Sequence, residues 1–207
     1  MNAPVAKRLP KELRRDQLLE TAREIVREEG TDVLTLGYLA ERAGVSKPIA
    51  YEHFGTRSGL LIALYRGIDE KQVNVLLEAL DRTPKTLEDV ARTMGEAYMR
   101  CYRSAGPEWH AISAALKGDE EMESFQQELL DGYVELYCNA LQPYCSLPRK
   151  ELRLRCVGII GAGEALAHGM LRKRSSAAAS AAALGALIVS WLRSSGDTLP
   201  AARKKAG

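Results

Sequence analysis

Apolar residues recur along the chain at three- and four-residue intervals, and no alternation of apolar and polar positions lasts long enough to predict a strand. Leu18, Leu19, Ala22, Ile25 and Val26 trace one face of a helix over about 12–29, and Gly30 is placed to end it. A short helix is predicted over Leu36–Ala43 with Thr35 as its N-cap. Gly44 breaks it, and a second short helix covers about 47–53. Gly55 and Thr56 turn the chain into a long helix from Arg57 to about Leu80. Thr83-Pro84 closes that helix, and Thr86-x-x-Asp89 resembles a capping box. Leu87, Val90, Ala91, Met94, Ala97, Tyr98, Cys101 and Tyr102 then form an i, i+3, i+4 stripe. Gly106-Pro107 opens a shorter helix through Trp109, His110, Ile112 and Leu116, and Gly118-Asp119 opens a long one carrying Met122, Phe125, Leu129, Tyr133, Leu136, Tyr137 and Ala140. The last two helices are predicted over 149–171 and 176–194, before a polar tail. The fold class is all-α, with about nine helices.

Composition narrows the picture. The 207 residues are 46% hydrophobic and 27% charged, which is globular rather than disordered, and a formal net charge of +2 excludes a polycation or an acidic tail protein. The four cysteines, at 101, 138, 145 and 156, form no CxxC pair and no Cys/His metal spacing, so reduced core thiols are expected. The N-terminal segment has no apolar h-region, and a cytoplasmic protein is expected. The uncharged stretch Ser175–Leu192 is at the low edge of bilayer-spanning length; its Ala-rich first half favours a buried helix over a membrane span.

The segment 35–57 carries the most information. Two short helices around Gly44 have helix-turn-helix spacing. Ala40, four residues before Gly44, permits close packing, Gly44 can take the positive φ of the turn, and Val45 offers an apolar plug. Ser46 or Lys47 caps the second helix, and Pro48 lies in its first turn. The run TLGYLAERAGVSKPIAYEHFGTRSGLL, Thr35 to Leu61, preceded by the amphipathic QLLETAREIVREEG, resembles the tetracycline-repressor (TetR) family of bacterial transcription regulators over about the first 65 residues.

That resemblance implies a three-helix DNA-binding domain over 1–55 with a basic N-terminal arm, a ligand-binding and dimerisation domain over 56–195, and a tail over 196–207. It implies phosphate contacts by Thr35, Tyr51 and Arg57, the last at a position where the family usually has Lys. Ser46, Lys47 and Pro48 then begin the recognition helix, whose N-terminal residues reach base edges. Ile49 and Glu52 depart from the family's common residues; Ile49 can pack on a thymine methyl, and Glu52 can accept from a cytosine amino group or point away. His53 has a phosphate or structural role. Residues 1–15 hold five basic residues and one acidic, so the arm either reaches DNA or is a solvated tail.

Elsewhere the chain offers no catalytic set, metal site or cofactor motif. Gly158 to Ala165, GIIGAGEA, has the wrong glycine order for a dinucleotide loop and no preceding strand. The stripe through Met94, Tyr98, Tyr102, Trp109, His110, Phe125 and Tyr133 is first of all a core; its phenol tips suit a cavity, and the family resemblance implies an effector site there. A homodimer interface is expected from the last two helices, through Gly158, Gly161, Leu184, Leu187, Ile188 and Trp191. The function expected is a ligand-responsive regulator, a repressor released from a near-palindromic double-stranded DNA operator by a small molecule, with no membrane partner. The alternatives are a helical redox-sensing or adaptor protein that does not bind DNA, and an α-helical enzyme.

Overall fold

A computed structural model describes residues 9–104, 111–112, 114–116, 118 and 120–193. Among the described residues there are eight long-enough α-helices to label: α1 (Lys11–Glu29), α2 (Leu36–Arg42), α3 (Lys47–Phe54), α4 (Arg57–Arg82), α5 (Leu87–Ser104), α6 (Glu120–Leu141), α7 (Arg149–Leu171) and α8 (Ala177–Arg193), with a 3-10 turn at Gln142–Tyr144 and no strand. The helix predicted after Gly106-Pro107 lies largely outside the described residues, although Ala111, Ile112, Ala114 and Ala115 are helical.

The chain divides into two compact units. The first comprises Met1–Lys71 and Ala105–Gln126, the second Gln72–Ser104 and Gln127–Gly207. Both α4 and α6 therefore begin in the first unit and end in the second. The first unit buries Leu18, Ala22 and Ile25 of α1, Leu39 and Ala40 of α2, Ala50 of α3, and Leu60, Leu61 and Leu64 of α4. Ile112, Leu116, Met122 and Phe125 are buried there too. Thr35 caps α2 by accepting the Tyr38 amide hydrogen at 3.1 Å, as its side-chain chemistry predicts. Gly44 takes φ +66° in the turn between α2 and α3, where a side chain would be strained, and Val45 donates its amide to the Ala40 carbonyl at 2.9 Å.

The second unit has its core on Val90, Met94, Tyr137, Cys138, Leu152, Cys156, Ile159, Leu184 and Ile188. Its tightest helix pair is α5 with α8. A Cβ at Gly95 would overlap the Ala181 carbonyl oxygen, and one at Gly185 would stand 3.3 Å from the Ala91 carbonyl oxygen, so glycine is what lets these backbones approach. At the start of α5 the Asp89 amide donates to Thr86 Oγ1 at 3.2 Å, and the Thr86 hydroxyl donates to the Asp89 carboxylate at 2.7 Å.

Leu184 and Ile188, expected at a seam between subunits, have no exposed surface within the single chain and pack in its own core. Among the described residues, the helix long and apolar enough to cross a membrane by length and composition is α7, with a window mean hydropathy of 1.2. Only 22% of that window is buried, so α7 carries an exposed apolar face.

Candidate nucleic-acid interface

The turn at Gly44 sets α3 so that one side is buried and the other is open. Ala50 and Phe54 point into the core, while Ser46, Lys47, Pro48, Tyr51 and Glu52 are exposed and Ile49 and His53 are half-buried. Pro48 sits in the first helical turn, where a missing amide hydrogen costs no helix bond. Ser46 is the N-cap residue by backbone position, without a side-chain cap bond. Tyr51 is 54% exposed, unusual for a large aromatic in a folded helix, and its ring and hydroxyl stand free to meet a partner.

Lys47 does not extend into empty space. Its Cε lies 3.6 Å, and its Nζ 3.9 Å, from where a Cβ on Gly37 would be, with Thr35 Oγ1 also 3.9 Å from that point. The ammonium thus lies across the first turn of α2, beside the Thr35 cap. Positive charge, a hydroxyl and backbone amides are the donors that hold a phosphate oxygen.

Arg57, expected to touch phosphate, donates its Nε–H to the Leu34 carbonyl at 2.8 Å and its Nη2–H to the Thr31 carbonyl at 2.6 Å. The guanidinium clasps the loop between α1 and α2 onto the start of α4. A planar fork can hold two carbonyls at once in a way an ammonium cannot.

The structure also adds residues that helix patterning could not supply. Arg15 of α1 donates Nη1–H to the His53 carbonyl at 3.1 Å and lies over the Phe54 ring at 5.0 Å. Lys11 pairs with Glu52 at 3.6 Å. Gln17 reaches the Ala43 carbonyl at 3.5 Å. At the other end of α1, Arg42 bonds Glu29 at 2.6 Å and Glu28 at 3.0 Å, and the Tyr38 hydroxyl donates to Glu29 at 2.9 Å. The helix α1 is therefore a brace along both helices of the motif. Loss of water around His53 holds its imidazole below the usual range; Glu52 opposes this, and Lys11, Arg15 and Arg14 reinforce it.

The expected effector residues divide between the units. Phe125 belongs to the first, edge-on to Tyr65 at 5.6 Å with the Arg66 guanidinium 5.0 Å from its ring centre. Met94, Tyr98, Tyr102 and Tyr133 gather in the second. Tyr98 and Tyr102 stack at 5.3 Å, His168 meets Tyr102 edge-on at 5.9 Å, and the Tyr98 hydroxyl donates to the Ile160 carbonyl at 3.3 Å. Burial pushes the Tyr102 phenol up to about 12 and raises Tyr98 further, so both remain protonated donors at neutral pH. Trp109 and His110 lie outside the described residues. A groove of about 860 Å³ lies elsewhere in this unit, with Glu88, Arg92 and Glu96 facing Ala182, Gly185 and Val189; it shares no residue with the expected site.

Of the expected interface residues, Gly158 lies under Trp191, whose ring carbon would be 2.7 Å from an added Cβ, while Gly161 faces open space. Leu187 is half-buried against the core, and Trp191 remains 39% exposed.

These features define a helix-turn-helix domain with its second helix presented outward. Residues 18–64 match the family described as bacterial regulatory proteins, tetR family. The HTH-type transcriptional activator FasR of Mycolicibacterium smegmatis is 34% identical over 82 residues, which cover 40% of this chain and 36% of that protein. The HTH-type transcriptional regulator BetI of Escherichia coli is 32% identical over 108 residues, 51% of each chain. The chain thus spans between about a third and a half of the length of these curated relatives. Among solved structures, the transcriptional regulator FadR from Bacillus subtilis in complex with stearoyl-CoA aligns with a TM-score of 0.63 at 19% identity, over 84% of this chain and 97% of that one. A TetR-like transcriptional regulator from Rhodococcus sp. RHA1 aligns at 0.60 with 22% identity, over 90% and 100%. At these identities the structural likeness shows the fold, and it extends beyond the helix-turn-helix into the second unit.

Proposed function

We propose that the protein is a ligand-responsive transcriptional regulator in the cytoplasm that binds double-stranded DNA as a homodimer and is a repressor released from its operator by a small molecule. The observation that carries this reading is the outward face of α3, where Ser46, Lys47, Pro48 and Tyr51 are exposed on a helix held rigidly from behind. In this reading the first turn of α3 enters the major groove, Thr35, Lys47 and Tyr51 bond phosphates, and Ile49 lies at the edge of the contact. Two such helices read two half-sites when they stand about 34–36 Å apart, one turn of DNA. Two copies of the chain meet that requirement by pairing through the exposed faces of α7 and α8.

The effector is assigned to the second unit, at the stacked Tyr98 and Tyr102 with Met94 and Tyr133, where aromatic area is combined with phenol donors. Because α4 and α6 are continuous from one unit into the other, a ligand that favours one arrangement of the second unit shifts the population of DNA-competent dimers. The named FadR structure holds stearoyl-CoA, and another structural relative, the multidrug binding protein EbrR, is complexed with imidazole. Relatives of this fold thus hold quite different small molecules, which supports a ligand role for the second unit without choosing its occupant.

The test is selection of bound sequences from a random DNA pool by the purified protein, followed by fluorescence anisotropy on the selected duplex. A two-fold symmetric consensus with salt-dependent affinity is expected. Failure to enrich any sequence, with the protein folded and dimeric, overturns the reading. A reporter gene carrying the selected site decides between repression and activation.

A further inference from the structure

Cys138 and Cys156 bring their sulfurs to 3.6 Å in the core of the second unit. Both are free thiols with no exposed surface. They come from neighbouring helices, Cys138 from α6 and Cys156 from α7. Between those helices Arg149 bonds Glu135 at 2.6 Å and Asn139 at 2.7 Å, and Arg153 pairs with Asp131 at 3.8 Å and also with Glu135, so the two thiols are held in register by contacts around them. A disulfide needs about 2.05 Å between sulfurs, so an approach of roughly 1.5 Å would join them. The partner of Cys138 comes from the next helix rather than from its own.

A third cysteine bears on access. Cys145 follows the 3-10 turn between α6 and α7, is half-buried, and packs against the same core. Burial raises the Cys156 thiol well above its ordinary range, which keeps it protonated and slow to meet an oxidant directly. Cys101 is half-buried too, but Cys145 is the half-buried thiol packed against the core that holds this pair, and through it a small oxidant reaches them.

We propose that Cys138 and Cys156 form an oxidation site, closed into an intrachain disulfide by a hydroperoxide that enters at Cys145. The Cys145 thiolate attacks the peroxide O–O bond, taking one oxygen to become a sulfenic acid and releasing the alcohol, or water when the oxidant is hydrogen peroxide. The Cys156 sulfur displaces that oxygen as water and forms a Cys145–Cys156 disulfide. The Cys138 sulfur then attacks Cys156, and Cys145 leaves as a thiol. In sum, two thiols and one hydroperoxide give one disulfide, one alcohol and one water. The product staples α6 to α7 within the second unit. This rests on the geometry of that unit and stands apart from the DNA-binding reading.

The experiment treats the reduced, folded full-length protein with hydrogen peroxide, blocks remaining thiols with N-ethylmaleimide in denaturant, and maps peptides by mass spectrometry. A peptide pair joined through Cys138 and Cys156 is expected, with Cys101 and Cys145 alkylated at the endpoint. Cys145→Ser is expected to slow formation of that link by about tenfold or more, since the buried thiols then depend on rare opening. Cys138→Val, close in volume, keeps the core filled and is expected to stop the reaction at Cys145–Cys156; circular dichroism confirms that it folds. The proposal is overturned if the native protein keeps all four thiols, if the link joins other cysteines, or if Cys145→Ser oxidises at the wild-type rate.

Discussion

Arg15 lies against Phe54 with its guanidinium 5.0 Å from the ring centre, and from there it donates to the carbonyl of His53 at 3.1 Å. That carbonyl belongs to the last turn of α3, where helix geometry leaves acceptors without an internal donor. One side chain therefore satisfies a helix end, places positive charge at its negative pole and covers the aromatic residue that anchors it. Arg15→Ala should lower the stability of the first unit by about 1–3 kcal/mol, the range for a charged hydrogen bond. Arg15→Lys keeps the charge but not the planar fork and should recover only part of the loss. Urea unfolding of both variants measures this. A stable Arg15→Ala protein that has lost DNA affinity would assign Arg15 to phosphate contact instead.

The Lys11–Glu52 pair is largely exposed, with side-chain exposures of 71% and 64%, so it contributes little to folding in water. Its consequence lies at the DNA surface, where Glu52 is an anion facing a polyanion. Lys11→Met should weaken binding of all duplexes while leaving the unfolding midpoint in place. The same substitution made on Glu52→Gln should weaken it less, because the charge it screens is gone. Anisotropy titrations on the four proteins of this cycle isolate the coupling. Equal losses in both backgrounds would mean that Lys11 acts on DNA independently of Glu52.

His53 gives a pH signature. Its imidazole is held below the ordinary value of 6.5, chiefly by burial, so the unfolded chain takes up the proton more readily than the folded one. Stability is then full above 6.5 and falls as pH drops from that value toward the depressed folded value, below which it levels off. Urea midpoints across this range should decline for the wild type and decline less for His53→Gln. A wild-type midpoint that rises on acidification, with a flat His53→Gln profile, would reverse the sign assigned to this group.

Arg57 shows where sequence reasoning stops. The pattern of apolar positions located every described helix within a few residues, because burial of one helical face is written directly in the spacing of Leu, Ile, Val and Ala. The cap at Thr35 and the turn at Gly44 were equally legible, since each depends on a residue type at one position. Arg57 lies at the start of α4, but its bonds go back to Thr31 and Leu34, and no local pattern encodes such a return. The braces from Lys11 and Arg15, and the meeting of Cys138 with Cys156, are hidden for the same reason. The second unit was harder still. Periodicity marks Leu184, Leu187 and Ile188 as apolar on one face of α8, yet cannot say whether the chain itself or a second copy covers that face.

The clasp makes its own prediction. Arg57→Lys, the conservative change in charge, should destabilise the first unit by about 1–3 kcal/mol because one ammonium cannot follow the fork onto both carbonyls. DNA affinity measured well below the unfolding midpoint should change far less than for Lys47→Ala. A stability unchanged in Arg57→Lys, with weakened DNA binding, would assign Arg57 to phosphate contact.

In the proposed dimer, the burial of Ile188 directs the seam to other residues. On α7, Leu154 is 69% exposed, Val157 44% and Leu171 40%, and Trp191 on α8 is 39% exposed. Leu154, Val157, Gly161 and Ala165 follow at intervals of three, four and four, one stripe along α7 with an open glycine at its middle. Apolar area of this kind, on a helix holding an 18-residue window of mean hydropathy 1.2, calls for a covering surface, and a two-fold copy supplies one of matching shape. Val157→Arg places a charge on that stripe without touching the core. It should yield a helical, cooperatively unfolding monomer whose operator affinity is lowered by tenfold or more, roughly, because the two reading heads are no longer held together. Ile188→Arg should behave differently, losing helicity at every protein concentration, since a charge in the core of the chain is left without a partner. Light scattering and circular dichroism on both variants separate the two positions. A Val157→Arg protein that stays dimeric would remove α7 from the interface.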